Sequence, residues 1–117
     1  MSQADQDRRV DYLEFLTTNI EETKTFYSRV FGWEFTDYGP EYTSFTDGRM
    51  AGGFALAPEV AAGGPLIVLY ATNLEELEAS IRANGGRIVR TPFEFPGGRR
   101  FHFTDPSGNE LAVWSDR

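Results

Sequence analysis

Apolar and polar positions along this chain follow two rhythms, a strand-like one and a helical one, and the pair occurs twice. Val10 to Thr17 is a β-rich run. Ile20, Phe26, Tyr27, Val30 and Phe31 then form a stripe at helical spacing. Asn19 can cap that helix, with Glu22 three residues on completing a capping box, and Glu21 and Glu22 suit the positive end of the helix dipole. Gly32 stops it. Strands follow at Trp33 to Tyr38, Glu41 to Thr46 and Gly53 to Ala57, with turns at Gly39-Pro40 and Asp47-Gly48.

The second half has the same plan. Leu66 to Ala71 reads as a strand. Asn73 and Glu76 cap a helix striped by Leu74, Leu77 and Ile81 and ended by Gly85-Gly86. Strands are expected at Arg87 to Arg90, Arg100 to Phe103 and Glu110 to Trp114. Pro92 to Gly98 is expected as a loop carrying Phe93 and Phe95, and Asp105-Pro106-Ser107-Gly108 as a turn. Thr18-Asn19-Ile20-Glu21-Glu22 returns as Thr72-Asn73-Leu74-Glu75-Glu76, an offset of 54 (73 − 19) that Gly32 and Gly86 share. Phe45-Thr46-Asp47 returns as Phe103-Thr104-Asp105 at an offset of 58 (105 − 47). Repeats of this length signal a duplicated supersecondary unit. The expectation is one α+β domain over residues 1–117, with βαβββ modules at 10–57 and 66–115 and an Ala-, Gly- and Pro-rich linker from Ala57 to Pro65.

Composition narrows the function classes. With 18 acidic against 11 basic residues the net charge is −7, which argues against a nucleic-acid partner and suits a cationic or neutral ligand. No cysteine is present, so thiolate chemistry is excluded. No apolar run approaches the roughly 20 residues of a membrane span, and Met1 to Arg9 is too polar for a signal peptide, so a cytoplasmic, membrane-free protein is expected. Ten Phe, five Tyr and two Trp are either core filling or the lining of a cavity.

The capped helix ending in Phe26-Tyr27 and Phe31-Gly32-Trp33, together with Asp105-Pro106-Ser107-Gly108-Asn109 before the last strand, resembles the vicinal oxygen chelate superfamily. That superfamily includes glyoxalases, bleomycin-resistance proteins, fosfomycin-resistance enzymes and extradiol dioxygenases. The resemblance runs from Val10 to Ser115. It implies two βαβββ modules with curved mixed sheets around a cleft, helices outside, and a homodimer. Metal-dependent members carry His or Glu on the cleft side of the first and last strand of each module. The matching positions here are Tyr12, Phe54, Leu66 and Ala112, none a good ligand for a divalent transition metal. No metal and no cofactor are therefore expected.

With those positions facing the cleft, strand alternation adds others to the lining. The ligand-binding set is Tyr12, Glu14, Phe54, Leu56, Val68, Tyr70, Ala112 and Trp114, with Leu16 beside it. Glu14 is the odd one, since a carboxylate on an apolar face is costly unless paired or protonated. It is a functional candidate. Its structural alternatives are a salt bridge to Arg99 or Arg100, or a strand-end carboxylate reaching water. His102, the single histidine, is the other acid/base candidate, on the face opposite Phe101 and Phe103. Two functions follow. One is a metal-free binding protein for an aromatic or cationic small molecule. The other is a lyase or isomerase that uses Glu14 or His102, or a metal held at other positions.

Overall fold

The repeated Asn–Ile/Leu–Glu–Glu signature does the same physical work twice. The side chain of Asn19 accepts a hydrogen bond from the Glu22 amide at 3.0 Å, and that of Asn73 accepts from the Glu76 amide at 3.0 Å. Each satisfies a donor that a helix start otherwise leaves unpaired. The computed structural model describes residues 3–61 and 63–117. Met1, Ser2 and Ala62, the last within the expected linker, lie outside the described residues.

In chain order the elements are β1 (Tyr12–Thr17), α1 (Ile20–Phe31), β2 (Glu34–Asp37), β3 (Tyr42–Thr46), β4 (Ala51–Leu56), β5 (Ile67–Tyr70), α2 (Leu74–Ala83), β6 (Arg87–Phe95), β7 (Gly98–Thr104) and β8 (Glu110–Ser115). A short 3₁₀ turn at Gln3–Gln6 precedes them. The first helix stops at Gly32, whose φ of 73° is left-handed, and the Trp33 amide reaches back to the Tyr27 carbonyl. The two sheets have matching orders, β1-β4-β3-β2 and β5-β8-β7-β6. In each the first and last strands of the module run parallel, and the other neighbours are antiparallel. The chain is thus an α+β pair of βαβββ modules with curved sheets and the helices on one side.

Phe15, Phe54, Ile67, Leu69, Phe101 and Phe103 turn towards the helices. A stacked column of Tyr27, Trp33 and Phe45, with centroids 4.6 and 4.3 Å apart, joins α1 to the first sheet. Phe26 and Phe31 of α1 also reach Phe103 of β7, so the modules share one core. Polar bonds lock the same junction. Tyr27 Oη donates to the buried Asp105 carboxylate at 2.8 Å, and Asn109 Nδ2 donates to the Leu16 carbonyl at 2.8 Å. The Phe-Tyr and Asp-Pro-Ser-Gly-Asn motifs are therefore partners across the module boundary.

Two expectations need correction. The segment from Pro92 to Gly98 is mostly strand, not loop: β6 runs to Phe95 and β7 starts at Gly98. Proline is tolerated because β6 is an edge strand, and the pairing slips between Arg90 and Phe93. Phe54 and Leu56 do not face the cleft. Phe54 is fully buried, stacked on Phe15 at 5.1 Å and near Tyr27 at 5.2 Å, on the helix side. Leu56 has the same parity, pairs with Thr17 and lies at the rim of the helix layer beside Asn19 and Ile20. The cause is one residue of turn length. Asp47 closes on Met50, whereas Asp105 closes on Asn109, so the last strands match at 59 residues and not 58. The true counterpart of Ala112 is Gly53, paired with Glu14 as Ala112 is with Val68.

Candidate functional site

Strand alternation leaves one face of each sheet turned away from the helices. On the first sheet that face carries Tyr12, Glu14 and Leu16 of β1, with Gly53 and Ala55 of β4 and Tyr42 of β3 beside them. On the second it carries Val68, Tyr70, His102, Arg100, Ala112 and Trp114. Tyr12, Leu16, Val68 and Tyr70 are 42–48% exposed, so apolar surface lies open there. Trp114 meets Tyr70 edge-on at 5.2 Å, and Ala112 is buried among its neighbours.

Glu14 is exposed, so its carboxylate reaches water as one of the structural alternatives expected, and its side-chain partner is a tyrosine and not an arginine. Tyr42 Oη donates to its Oε1 at 3.0 Å, and the Tyr12 hydroxyl contacts that of Tyr42. Since Tyr42 has spent its one proton on Glu14, Tyr12 is the donor to Tyr42, and a chain runs Tyr12 to Tyr42 to Glu14. Gly53 makes room for it, because a Cβ there would strike both tyrosine hydroxyls. Burial, then the bonds to Tyr12 and Glu14, push the Tyr42 pKa upwards, so Tyr42 remains a proton donor at neutral pH. The expected salt-bridge partners of Glu14 are engaged elsewhere. Arg99 pairs with Glu75 and the Arg117 carbonyl, and Arg100 lies over the Phe93 and Phe95 rings.

His102 lies on the open face, opposite Ala112, and is only 8% exposed. Its Nδ1 is 3.1 Å from a Glu110 carboxylate oxygen. A carboxylate there fixes a proton on Nδ1 and leaves Nε2, which is buried and without a partner among the described residues. A cavity of about 330 Å³ lies between β1 and the linker, lined by Glu14, Leu16, Val60, Pro65, Ile67 and Glu110 among others. A smaller one of about 240 Å³ adjoins His102, Glu110 and Leu66. Glu110 borders both and is not among the site residues the sequence pattern points to. Its only signal was its place in the last strand, directly after the Asp-Pro turn.

The residues do not fit the metal centre of metal-dependent members. The matching positions are Tyr12, Gly53, Leu66 and Ala112, and among the described residues no three His, Asp or Glu side chains come together to hold an ion. What the arrangement offers is ring surface, a phenol-supported carboxylate and an imidazole–carboxylate pair.

Residues 9–113 match the family model described as Glyoxalase/Bleomycin resistance protein/Dioxygenase superfamily. A curated relative, the anthracycline biosynthesis protein DauV of Streptomyces sp. (strain C5), is 32% identical over 117 residues, covering 82% of this chain. The chain spans 42% of that relative's length. Among solved structures, a glyoxalase/bleomycin resistance protein/dioxygenase family enzyme from Burkholderia phytofirmans PsJN superposes with a TM-score of 0.81 at 18% identity, over 92% of this chain and 100% of that one. A glyoxalase-related enzyme from Fulvimarina pelagi gives 0.79 at 20% identity, over 92% and 88%. The fosfomycin resistance protein FosX of Mesorhizobium loti gives 0.77 at 14% identity, over 92% of both chains. At these identities the structural likeness concerns the fold alone.

Proposed function

This chain belongs to the Glyoxalase/Bleomycin resistance protein/Dioxygenase superfamily, and from that premise we propose that it is a metal-independent small-molecule-binding protein of the cytoplasm. Its ligand is aromatic and lies on the open faces of the two sheets, with a cationic or hydrogen-bond-donating group at Glu14. The observation that carries this reading is the set of exposed rings and aliphatic side chains around Glu14 and Trp114, where a metal-dependent member would hold its ligands. The similarity to a protein named for anthracycline biosynthesis is in keeping with an aromatic ligand. A second copy of the chain covers the open faces and encloses the cleft.

The test is a titration with cationic and neutral aromatic compounds, read by Trp114 fluorescence, alongside elemental analysis of protein purified without chelators. Saturable quenching without stoichiometric transition metal is the expected result. One metal ion per chain would replace this reading with a metalloenzyme. A second reading, a metal-free lyase or isomerase, rests on the Glu110–His102 pair and its free Nε2. Turnover of a bound compound, abolished in His102→Gln, would establish it.

A further inference from the structure

Eleven basic residues are outnumbered by eighteen acidic ones, yet two arginines on the open face of the second sheet have found no carboxylate. Arg90 of β6 and Arg100 of β7 have no ion pair among the described residues, a state they share with Arg29, Arg49 and Arg87 but not with Lys24, Arg82, Arg99 or Arg117. The two guanidinium groups instead converge on one ring. The carbon of the Arg90 guanidinium stands 3.8 Å from the Phe93 centroid and that of Arg100 stands 5.4 Å from it. Arg100 also lies 5.9 Å from the Phe95 centroid, and its Nε is buried with no acceptor. His102 lies beside them, its ring 5.9 Å from Phe93 and its Nε2 buried and unpartnered. Leaving such groups unsatisfied is costly in a folded chain. Two like charges brought to one ring add repulsion.

We propose that Arg90, Arg100 and His102, over the Phe93 shelf, form a binding site for the carboxylate of a flat, ring-bearing organic acid. The inference rests on the aromatic-ligand reading above and adds the acid group to it. A guanidinium presents paired N–H donors in the plane and spacing of a carboxylate, and the Arg100 Nη donors have no protein acceptor among the described residues. Arg90 supplies the second charge from the neighbouring strand, held by Phe93. His102, with Nδ1 on Glu110, can bond the carboxylate only as the imidazolium, whose Nε2–H donates, because the neutral ring with its proton on Nδ1 turns a lone pair towards it. A ring attached to the carboxylate continues onto Phe95 and Trp114, whose centroids are 6.3 Å apart. A spherical inorganic anion lacks that second contact.

The experiment compares an acid with its uncharged isostere. 2-Naphthoate, 2-naphthamide and inorganic phosphate are titrated into the full chain. The ligand-dependent change in tryptophan fluorescence reports on Trp114, since Trp33 is buried in the core and out of reach of a ligand on the open face. Naphthoate is expected to bind about tenfold or more tighter than naphthamide, the size of a charge-assisted hydrogen bond, and phosphate far more weakly. Arg100→Met and Arg90→Met should each bring naphthoate down towards the amide. Arg100→Lys should recover only part of the loss, and Arg87→Met on the same edge strand should change nothing. Equal binding of acid and amide would overturn the carboxylate site while leaving the aromatic face intact. Binding of neither would overturn both. If Arg100→Met dissociated an oligomer in sedimentation and left the preference for acid over amide unchanged, the arginines would serve subunit contact and the proposal would fail.

Discussion

At the scale of single residues, Glu14 and Asp105 show how one chemical group serves opposite ends. Glu14 accepts one bond from Tyr42 and keeps its remaining acceptor positions for whatever lies on the open face. Glu14→Gln preserves shape and an acceptor for Tyr42 but removes the charge. Its expected effect is a loss of roughly tenfold in affinity for cationic aromatics, from about 1.5–3 kcal/mol of charge-assisted bonding, with the melting temperature nearly unchanged. Unchanged affinities together with a large drop in melting temperature would make Glu14 a structural residue. Asp105 instead spends every lone pair inside the fold. Oδ1 accepts from the amides of Ser107, Gly108 and Asn109, while Oδ2 accepts from Tyr27 and the Asn109 side chain. Asp105→Asn turns one acceptor into a donor facing two donors, so a destabilisation of about 1–3 kcal/mol near neutrality is expected. Burial raises the Asp105 pKa above 3.8 against the pull of those bonds. The folded chain then holds this proton more tightly than the unfolded chain does. Its contribution makes stability fall as pH rises from about 3.8 through the folded value. Denaturant melts across that range should show this slope in the wild type and lose it in Asp105→Asn.

At the scale of elements, β4 carries two adjacent glycines with different purposes. A Cβ on Gly52 would meet the Leu13 carbonyl of the neighbouring strand and the Phe45 ring, neither free to retreat. Gly52→Ala should cost about 1–3 kcal/mol or more through overpacking. A Cβ on Gly53 would meet the ends of Tyr12 and Tyr42, which can swing away. Gly53→Ala should therefore detach Tyr42 from Glu14 and disturb ligand binding at a smaller cost to stability. Equal melting temperatures for the two variants would contradict this division. The same strand marks the limit of what the sequence reveals. Helix caps and stops are local chemistry, and Asn19, Gly32 and Asn73 announce them directly. The faces of β1 and β5 follow from alternation once one position is oriented. The face of β4 depended on a count through the preceding turn, and Asp47 closes a turn one residue shorter than Asp105 does. That difference moved Phe54 from the cleft to the core. Alternation puts His102 opposite Phe101 and Phe103, and which of the two faces is open is decided only by the burial of those rings beneath the helices. Pro92 read as a chain breaker because edge position, which makes it harmless, is a property of the sheet order. The pairing of Arg90 with Arg100 over Phe93 had no signal in sequence at all, since it needs the slipped register between β6 and β7.

At the scale of the whole molecule, what needs explaining is the side without helices. Both helices pack on one side of the sheets, and no described helix is long and apolar enough to cross a membrane. The other side leaves Tyr12 and Leu16 on one sheet and Leu66, Val68 and Tyr70 on the other between 37% and 48% exposed. Single exposed apolar residues are ordinary, but a group sharing one face is a surface that association would cover. A symmetric dimer offers the economical cover, because the same patch on two copies is self-complementary about a two-fold axis. Such a contact needs about 800 Å² from each partner, and two curved sheets facing each other would leave a cleft between them for a ligand. The expected outcome is a dimer at tens of micromolar by sedimentation, a roughly typical range for modest interfaces. Val68→Glu places a charge at the centre of the patch and should shift the equilibrium towards monomer. It should leave the melting temperature of the monomer little changed, because Val68 points away from the helix-side core. A wild-type chain that sediments as a monomer at that concentration would refute the assembly. In that case the exposed face must be covered by ligand alone, and aromatic compounds should then raise the melting temperature of the monomer in proportion to the logarithm of their concentration above the dissociation constant.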